Sequence, residues 1–250
     1  MSGHSKWNSI KHKKGAADAK RGKIFTKHAH LIAIAAKGGG DPEANPNLRM
    51  AIDNAKKENV PNVNIEKAVK RGTGELKDAA EISEMTYEGY GPGGTAVIVE
   101  CLTDNKNRSL TNVRTIFGKK GGNMGNTGSV AWMFDRKGLI ILKKEGVDLD
   151  EAELAAIDGG AEDVQREDET LEIYTQPTDL NAVATKLKAA GFEIEKAELI
   201  LIPNQIVKIE DEETAKKILE FMEALDDDQD VSEVTSNFDI SDELMEKISQ

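Results

Sequence analysis

The chain has 250 residues, 38% of them hydrophobic, with 33 Lys or Arg, 45 Asp or Glu and one cysteine, Cys101. That length buries a core without staples, and a lone cysteine excludes an internal disulfide and a cysteine-built zinc site. The longest apolar runs, 31–36 and 139–142, fall far short of the roughly 18 residues of a membrane span, and the Lys- and His-rich start lacks the apolar block of a secretory signal. A cytoplasmic protein with no membrane partner is expected.

The net charge of −12 conceals a gradient. Residues 1–40 hold nine Lys or Arg against one acid, Asp18, a net +8, and all four histidines. Residues 139–250 hold ten bases against 31 acids, a net −21. A basic, acid-poor head on an acidic body points to a polyanion-binding element whose body does not share the contact.

In chain order, a helix is predicted from about Ala16 to Lys37, stopped by Gly38-Gly39-Gly40. At 100° per residue Ile24, Phe25, His28, Leu31, Ile32 and Ala35 form its packing face. Lys20, Lys23, Lys27, His30 and Lys37 form an opposite stripe open to solvent or phosphate. Asn45-Pro46 starts a second helix that ends near Asn59, and Asn62 caps a third that Gly72 closes. The period then changes to two. A Gly-rich turn leads into the strand Thr95 to Leu102, and a helix capped by Asp104 or Asn105 carries Leu110, Val113 and Phe117. A strand is read over Ser129 to Phe134.

From Leu139 to Ile202 the elements run β-α-β-β-α-β, the ferredoxin-like order. The strand 206–209, the helix 212–225 and the strand 231–238 have no partners of their own and most simply complete the sheet begun before residue 135. The expected fold is therefore α+β: a helical N-terminal domain followed by two ferredoxin-like-type α/β sandwich domains, the third inserted into the second. Its boundaries are 1–80, 81–136 with 203–240, 137–202 for the acidic insert, and a tail at 241–250.

Several blocks carry a family resemblance: Gly3-His4-Ser5-Lys6-Trp7, Arg21-Gly22-Lys23, Gly39-Gly40-Asp41-Pro42, Tyr87-Glu88-Gly89-Tyr90-Gly91-Pro92-Gly93-Gly94, Leu102-Thr103-Asp104-Asn105, Lys120-Gly121-Gly122 and Gly128-Ser129-Val130-Ala131-Trp132. In this order they resemble the YebC family over nearly the whole chain. The resemblance implies three domains, a bacterial cytoplasmic protein and no known catalysis. The family is described as DNA-binding transcriptional regulators and, among mitochondrial relatives, as translational activators.

The residues read as nucleic-acid-binding are Lys6, Trp7, Lys11, Lys13, Lys14, Lys20, Arg21, Lys23, Lys27, Arg108, Lys119 and Lys120. Clustered lysines release counterions from phosphates, and an indole among them can stack on an unpaired base. Packing of Trp7 on the body is the competing reading. Gly89 to Gly94 satisfies G-x-G-x-x-G, but a strand follows where a dinucleotide site needs a helix, so a hairpin turn is expected. Lys119 to Asn123 could form a phosphate nest or an ordinary turn. Asp226, Asp228 and Asp230 lack the glycine and glutamate of a calcium loop, His28 and His30 fall about 200° apart, and Cys101 alternates with buried positions. No cofactor, metal or catalytic set is therefore expected.

The function expected is a non-catalytic, nucleic-acid-binding regulator of gene expression, a DNA-binding transcriptional regulator. One alternative is a translation factor on ribosomal RNA, its acidic domain avoiding RNA or facing a protein partner. Another is a hydrolytic enzyme working in the cleft between the two sheet domains, with Glu88, Glu100 or Asp104 as acid or base.

Overall fold

The computed structural model describes residues 17–76, 79–143, 145–167 and 170–248, with side chains from Arg21 onward. They fold as the mixed α/β protein the patterning implies, in two compact units. One comprises the residues up to His30 with Ala80–Asp135 and Ile202–Gln250; the other comprises Leu31–Ala79 and Arg136–Leu201. The division between the units falls within the first helix, α1 (Ala17–Ala36).

The first unit is built on a four-stranded sheet. β1 (Ser83–Tyr90) and β2 (Ala96–Thr103) form a hairpin paired from Ser83↔Thr103 to Tyr90↔Ala96. The glycines of the G-x-G-x-x-G stretch make its turn: a 3-10 segment at Pro92–Gly94 in which Gly93 and Gly94 take φ of 72° and 74°, angles that side chains disfavour. Helix α4 (Lys106–Lys119) starts at Asn105, whose side chain accepts from the Arg108 N–H at 3.1 Å. It leads to the two-residue β3 (Asn123–Met124), which pairs with β1 on the side away from β2. No side chain fits at Gly89, because a Cβ there would lie 2.5 Å from the Asn123 carbonyl.

The second unit's sheet comes next along the chain. It is formed by β4 (Phe134–Lys143), β5 (Asp163–Arg166), β6 (Thr170–Thr175) and β7 (Ile194–Pro203) in the spatial order β5-β6-β4-β7. Helices α5 (Leu149–Gly159) and α6 (Leu180–Ala189) alternate with the strands in the ferredoxin-like sequence. Ile140, Leu142, Leu171 and Ile173 meet Ala152, Ala156, Val183 and Leu187 in its core. Helices α2 (Pro46–Lys57) and α3 (Asn62–Gly72) belong to this unit. The Asn54 amide donates to the Ala197 carbonyl of β7 at 2.7 Å, and Asp53 pairs with Lys188 of α6 at 2.6 Å.

After Pro203 the chain returns to the first unit with β8 (Val207–Ile209), α7 (Glu212–Asp226), β9 (Val231–Ser236), β10 (Phe238–Ile240) and α8 (Asp242–Ile248). β9 pairs antiparallel with β2, giving the order β3-β1-β2-β9, and β8 pairs parallel with β10. Val97, Val99, Phe117, Phe221 and Val234 fill the core, with the two phenylalanine rings edge to face at 5.0 Å, a geometry worth about 0.5–1.5 kcal/mol beyond area burial.

Two local expectations are corrected. Asn62 is the first residue of α3, not its cap; Pro61 holds the cap position, and as its ring has no polar atom its carbonyl alone serves the helix start, accepting from the Asn64 and Ile65 N–H groups at 2.9 and 3.2 Å. The strand read over Ser129 to Phe134 is instead a 3-10 turn at Ala131–Met133, with β4 beginning at Phe134. The N–H groups of Gly128, Val130 and Ala131 bond the Glu88 carboxylate and are unavailable to a ladder.

Candidate nucleic-acid interface

Lys6, Trp7, Lys11, Lys13 and Lys14 lie outside the described residues, as does the side chain of Lys20. Arg21 is exposed. Of the stripe beyond it Lys37 is exposed as expected, whereas Lys23, Lys27 and His30 are half-buried. Lys23 lies 3.8 Å from the Asp226 carboxylate, Lys27 bonds Glu233 of β9 at 3.0 Å, and the His30 Nδ1 is 3.0 Å from the Leu102 carbonyl, while Ile24 on the other face is 38% exposed. All these partners belong to the first unit. These pairings have an electrostatic cause: the end of α7 and the edge strand β9 present carboxylates, and α1 answers them with lysines.

Arg108 is likewise drawn inward. Its guanidinium donates to both oxygens of Asp230, at 2.6 and 2.9 Å, and to Asp104 at 3.0 Å. Ser109 Oγ donates to the same Asp230 at 2.9 Å. Asp230 is only 2% exposed, so this bidentate pair compensates a buried charge and ties α4 to the start of β9. Asp228 accepts from the Asn112 amide at 2.8 Å, and Asn237 accepts the Ala96 N–H at 2.8 Å, which gives both residues structural partners. Cys101 is buried, and burial pushes its thiol up to about 12, so it is no nucleophile at neutral pH.

Lys119 and Lys120 are exposed at the end of α4; Lys120 stands 3.3 Å from Glu220. The turn after them, with Gly121 at φ 79°, brings Asn123 into register opposite Tyr90. Beyond β3 the loop 125–131 closes over Glu88, a carboxylate 4% exposed that accepts from the N–H groups of Gly128 at 2.7 Å, Val130 at 2.9 Å and Ala131 at 2.8 Å. Burial alone would raise its pKa; the three donors outweigh burial and hold it below the ordinary carboxylate range. A carboxylate so engaged, like Asp104 on Arg108, is a poor general base.

The loop held by Glu88 displays two aromatic side chains. Trp132 is 59% exposed and Tyr90 37%. Trp132 Nε1 donates to the Ser129 carbonyl at 3.2 Å and Tyr90 Oη to the same oxygen at 3.4 Å. Trp132 is absent from the residues that the sequence marks as binding; it lies in the stretch Ser129 to Phe134 that reads as a strand. The signal against that strand is the glycine spacing, with Gly121, Gly122, Gly125 and Gly128 in eight residues.

A four-stranded sheet in each unit, with an α-helical N-terminal segment and a glycine-rich loop displaying two aromatic side chains, defines a protein of the α+β class. The chain belongs to the TACO1/YebC family: residues 5–75 match the model of the TACO1/YebC N-terminal domain and residues 82–238 that of the TACO1/YebC second and third domain. It is 54% identical over 249 residues to a probable transcriptional regulatory protein of Geobacter sp. (strain M21), and 55% identical over 249 residues to one of Geotalea uraniireducens (strain Rf4). Each alignment covers 99% of this chain and 100% of the relative. Among solved structures, a conserved hypothetical protein from Aquifex aeolicus superposes with a TM-score of 0.84 at 46% identity, covering 93% of this chain and 96% of the other.

Proposed function

We propose that the chain is a non-catalytic regulator of gene expression that binds nucleic acid through its basic N-terminal segment. The observation that carries this reading is the charge segregation, +8 over residues 1–40 against −21 from residue 139 onward. Phosphates attract the first segment and repel the last, so the contact is kept away from the acidic end of the chain. Lys6, Lys11, Lys13, Lys14, Lys20, Arg21, Lys119 and Lys120 contact phosphate, and Trp7 an unpaired base. Lys23, Lys27 and Arg108 position the elements that carry them. The acidic insert, read as a third domain over 137–202, faces a protein partner in the cytoplasm.

The names of the relatives favour promoter DNA as the target. A second reading, a translation factor on ribosomal RNA, is favoured by the exposed Tyr90 and Trp132, which suit unpaired bases better than duplex readout. The two are separated by comparing, at one physiological salt concentration, a promoter fragment, a scrambled fragment of equal length and ribosomal particles. A promoter preference beyond about a thousandfold is the expected mark of a direct reader of DNA. Near-equal DNA affinities with saturable ribosome binding would assign the protein to translation.

A further inference from the structure

We propose that Tyr90 and Trp132 form a stacking site for an unpaired base of RNA, an inference that rests on the nucleic-acid reading above. Both rings are substantially exposed although each is large and mostly apolar. A ring left in water forgoes the burial that normally stabilises it, and a base, with an apolar face of similar size, restores it. The polar tip of each ring is already satisfied at the Ser129 carbonyl, so the rings need no further hydrogen bond and have apolar surface to offer.

The site is held in place before any ligand arrives. Glu88 pins the loop on one side of Trp132 through three amides. On the other side Asn204 bonds the Trp132 and Met133 carbonyls, at 3.2 and 2.9 Å. Tyr90 ends a strand paired on both edges, with Ala96 and with Asn123. Little ordering entropy is then lost on binding. The surroundings suit a polynucleotide better than an apolar protein segment. Lys119 and Lys120 precede the turn to Asn123, and Asn123, Asn126 and Thr127 are exposed polar groups able to meet a ribose hydroxyl or a base edge. RNA is the source the site favours because loops and bulges present bases already unstacked, whereas duplex DNA must first expel one at an energetic cost.

The test uses the full chain and a labelled RNA hairpin with a single-stranded loop, with fully paired RNA and a DNA hairpin of the same sequence beside it. Tyr90→Ala and Trp132→Ala are each expected to weaken loop binding roughly 5- to 150-fold, with unchanged circular dichroism and an unchanged slope of affinity against salt, because stacking releases no counterions. Trp132→Phe, which keeps a ring, should retain most of the affinity. In the Trp7→Phe chain Trp132 supplies all the indole emission, and the loop RNA should quench it at the concentrations at which anisotropy reports binding. Wild-type-like loop binding by both alanine variants, or emission from Trp132 that ignores bound RNA, would overturn the site while leaving the nucleic-acid reading standing. Equal affinity for the DNA loop would overturn the assignment to RNA. A wild-type chain that binds none of these probes removes the nucleic-acid reading, and the site with it.

Discussion

Glu88 lies in a strand where alternation would allow any polar residue, yet its carboxylate organises the loop that displays Trp132. Three N–H donors favour its charged form, so its folded pKa lies below the unfolded value of about 4.3. The stabilisation it supplies is complete above that unfolded value and is lost as pH falls through the folded one. Glu88→Gln is therefore expected to cost about 1–3 kcal/mol at neutral pH, with the gap to wild type closing below about pH 4. Urea midpoints at a series of pH values check this; a gap that stays constant into acid would show that charge is not what the donors need. Neither this role nor the bond between Arg108 and Asp230 was legible beforehand, because partners 40 and 122 residues apart leave no local pattern.

At the scale of elements, α1 and α2 are joined by Asn45, which serves two helices at once. Its Oδ1 accepts the Leu48 N–H at 3.1 Å, capping α2, while its Nδ2 donates to the carbonyls of Ala35 at 2.8 Å and Gly39 at 2.9 Å, closing α1. Only the first of these was predictable from Asn-Pro. Nearby, α3 approaches α1 so closely at Gly72 that an added Cβ would collide with the Ala33 carbonyl and the Ala36 methyl. Asn45→Ala is expected to cost about 1–2 kcal/mol. Gly72→Ala, which would ordinarily gain up to about 1 kcal/mol of helix propensity, should instead destabilise by about 1–3 kcal/mol. Denaturation midpoints of the two variants decide it, and a stabilised Gly72→Ala would refute the close approach. That the lysine stripe of α1 is partly covered could not be read from periodicity, because the carboxylates that pair with it lie beyond residue 225.

For the whole molecule, the charge gradient sorts the lysines of the head into two kinds with different expected behaviour. In the proposed function Lys6, Lys11, Lys13 and Lys14 act on phosphate. Replacing all four by Gln should lower the slope of log affinity against log salt by about 3, since each phosphate contact contributes about 0.7 to 0.9. Lys23→Gln and Lys27→Gln remove ion pairs within the first unit and should cost stability, about 0.2–1 kcal/mol each, with little change in slope. Nucleic-acid titrations between low and physiological salt, run beside thermal melts, separate the two kinds. An unchanged slope in the quadruple variant would remove the electrostatic basis of binding. The fold that carries these charges was legible in outline. The ferredoxin-like order of 139–202 is visible as a sequence of periods, and the spare strand at 231–236 does pair with β2.

What the amino-acid sequence determined by itself is what short-range physics encodes: helix caps at Asn45 and Asn105, the hairpin at Gly91–Gly94, the buried strand around Cys101, and the separation of positive from negative charge along the chain. The tertiary structure alone decided that the lysine stripe of α1 is partly covered, that residues 31–79 share a unit with 136–201, that Arg108 neutralises a buried aspartate, and that Trp132 stands in solvent. Each of these depends on a partner more than about 40 residues distant in the chain, and the energy of such a contact is set by geometry that no local spacing records.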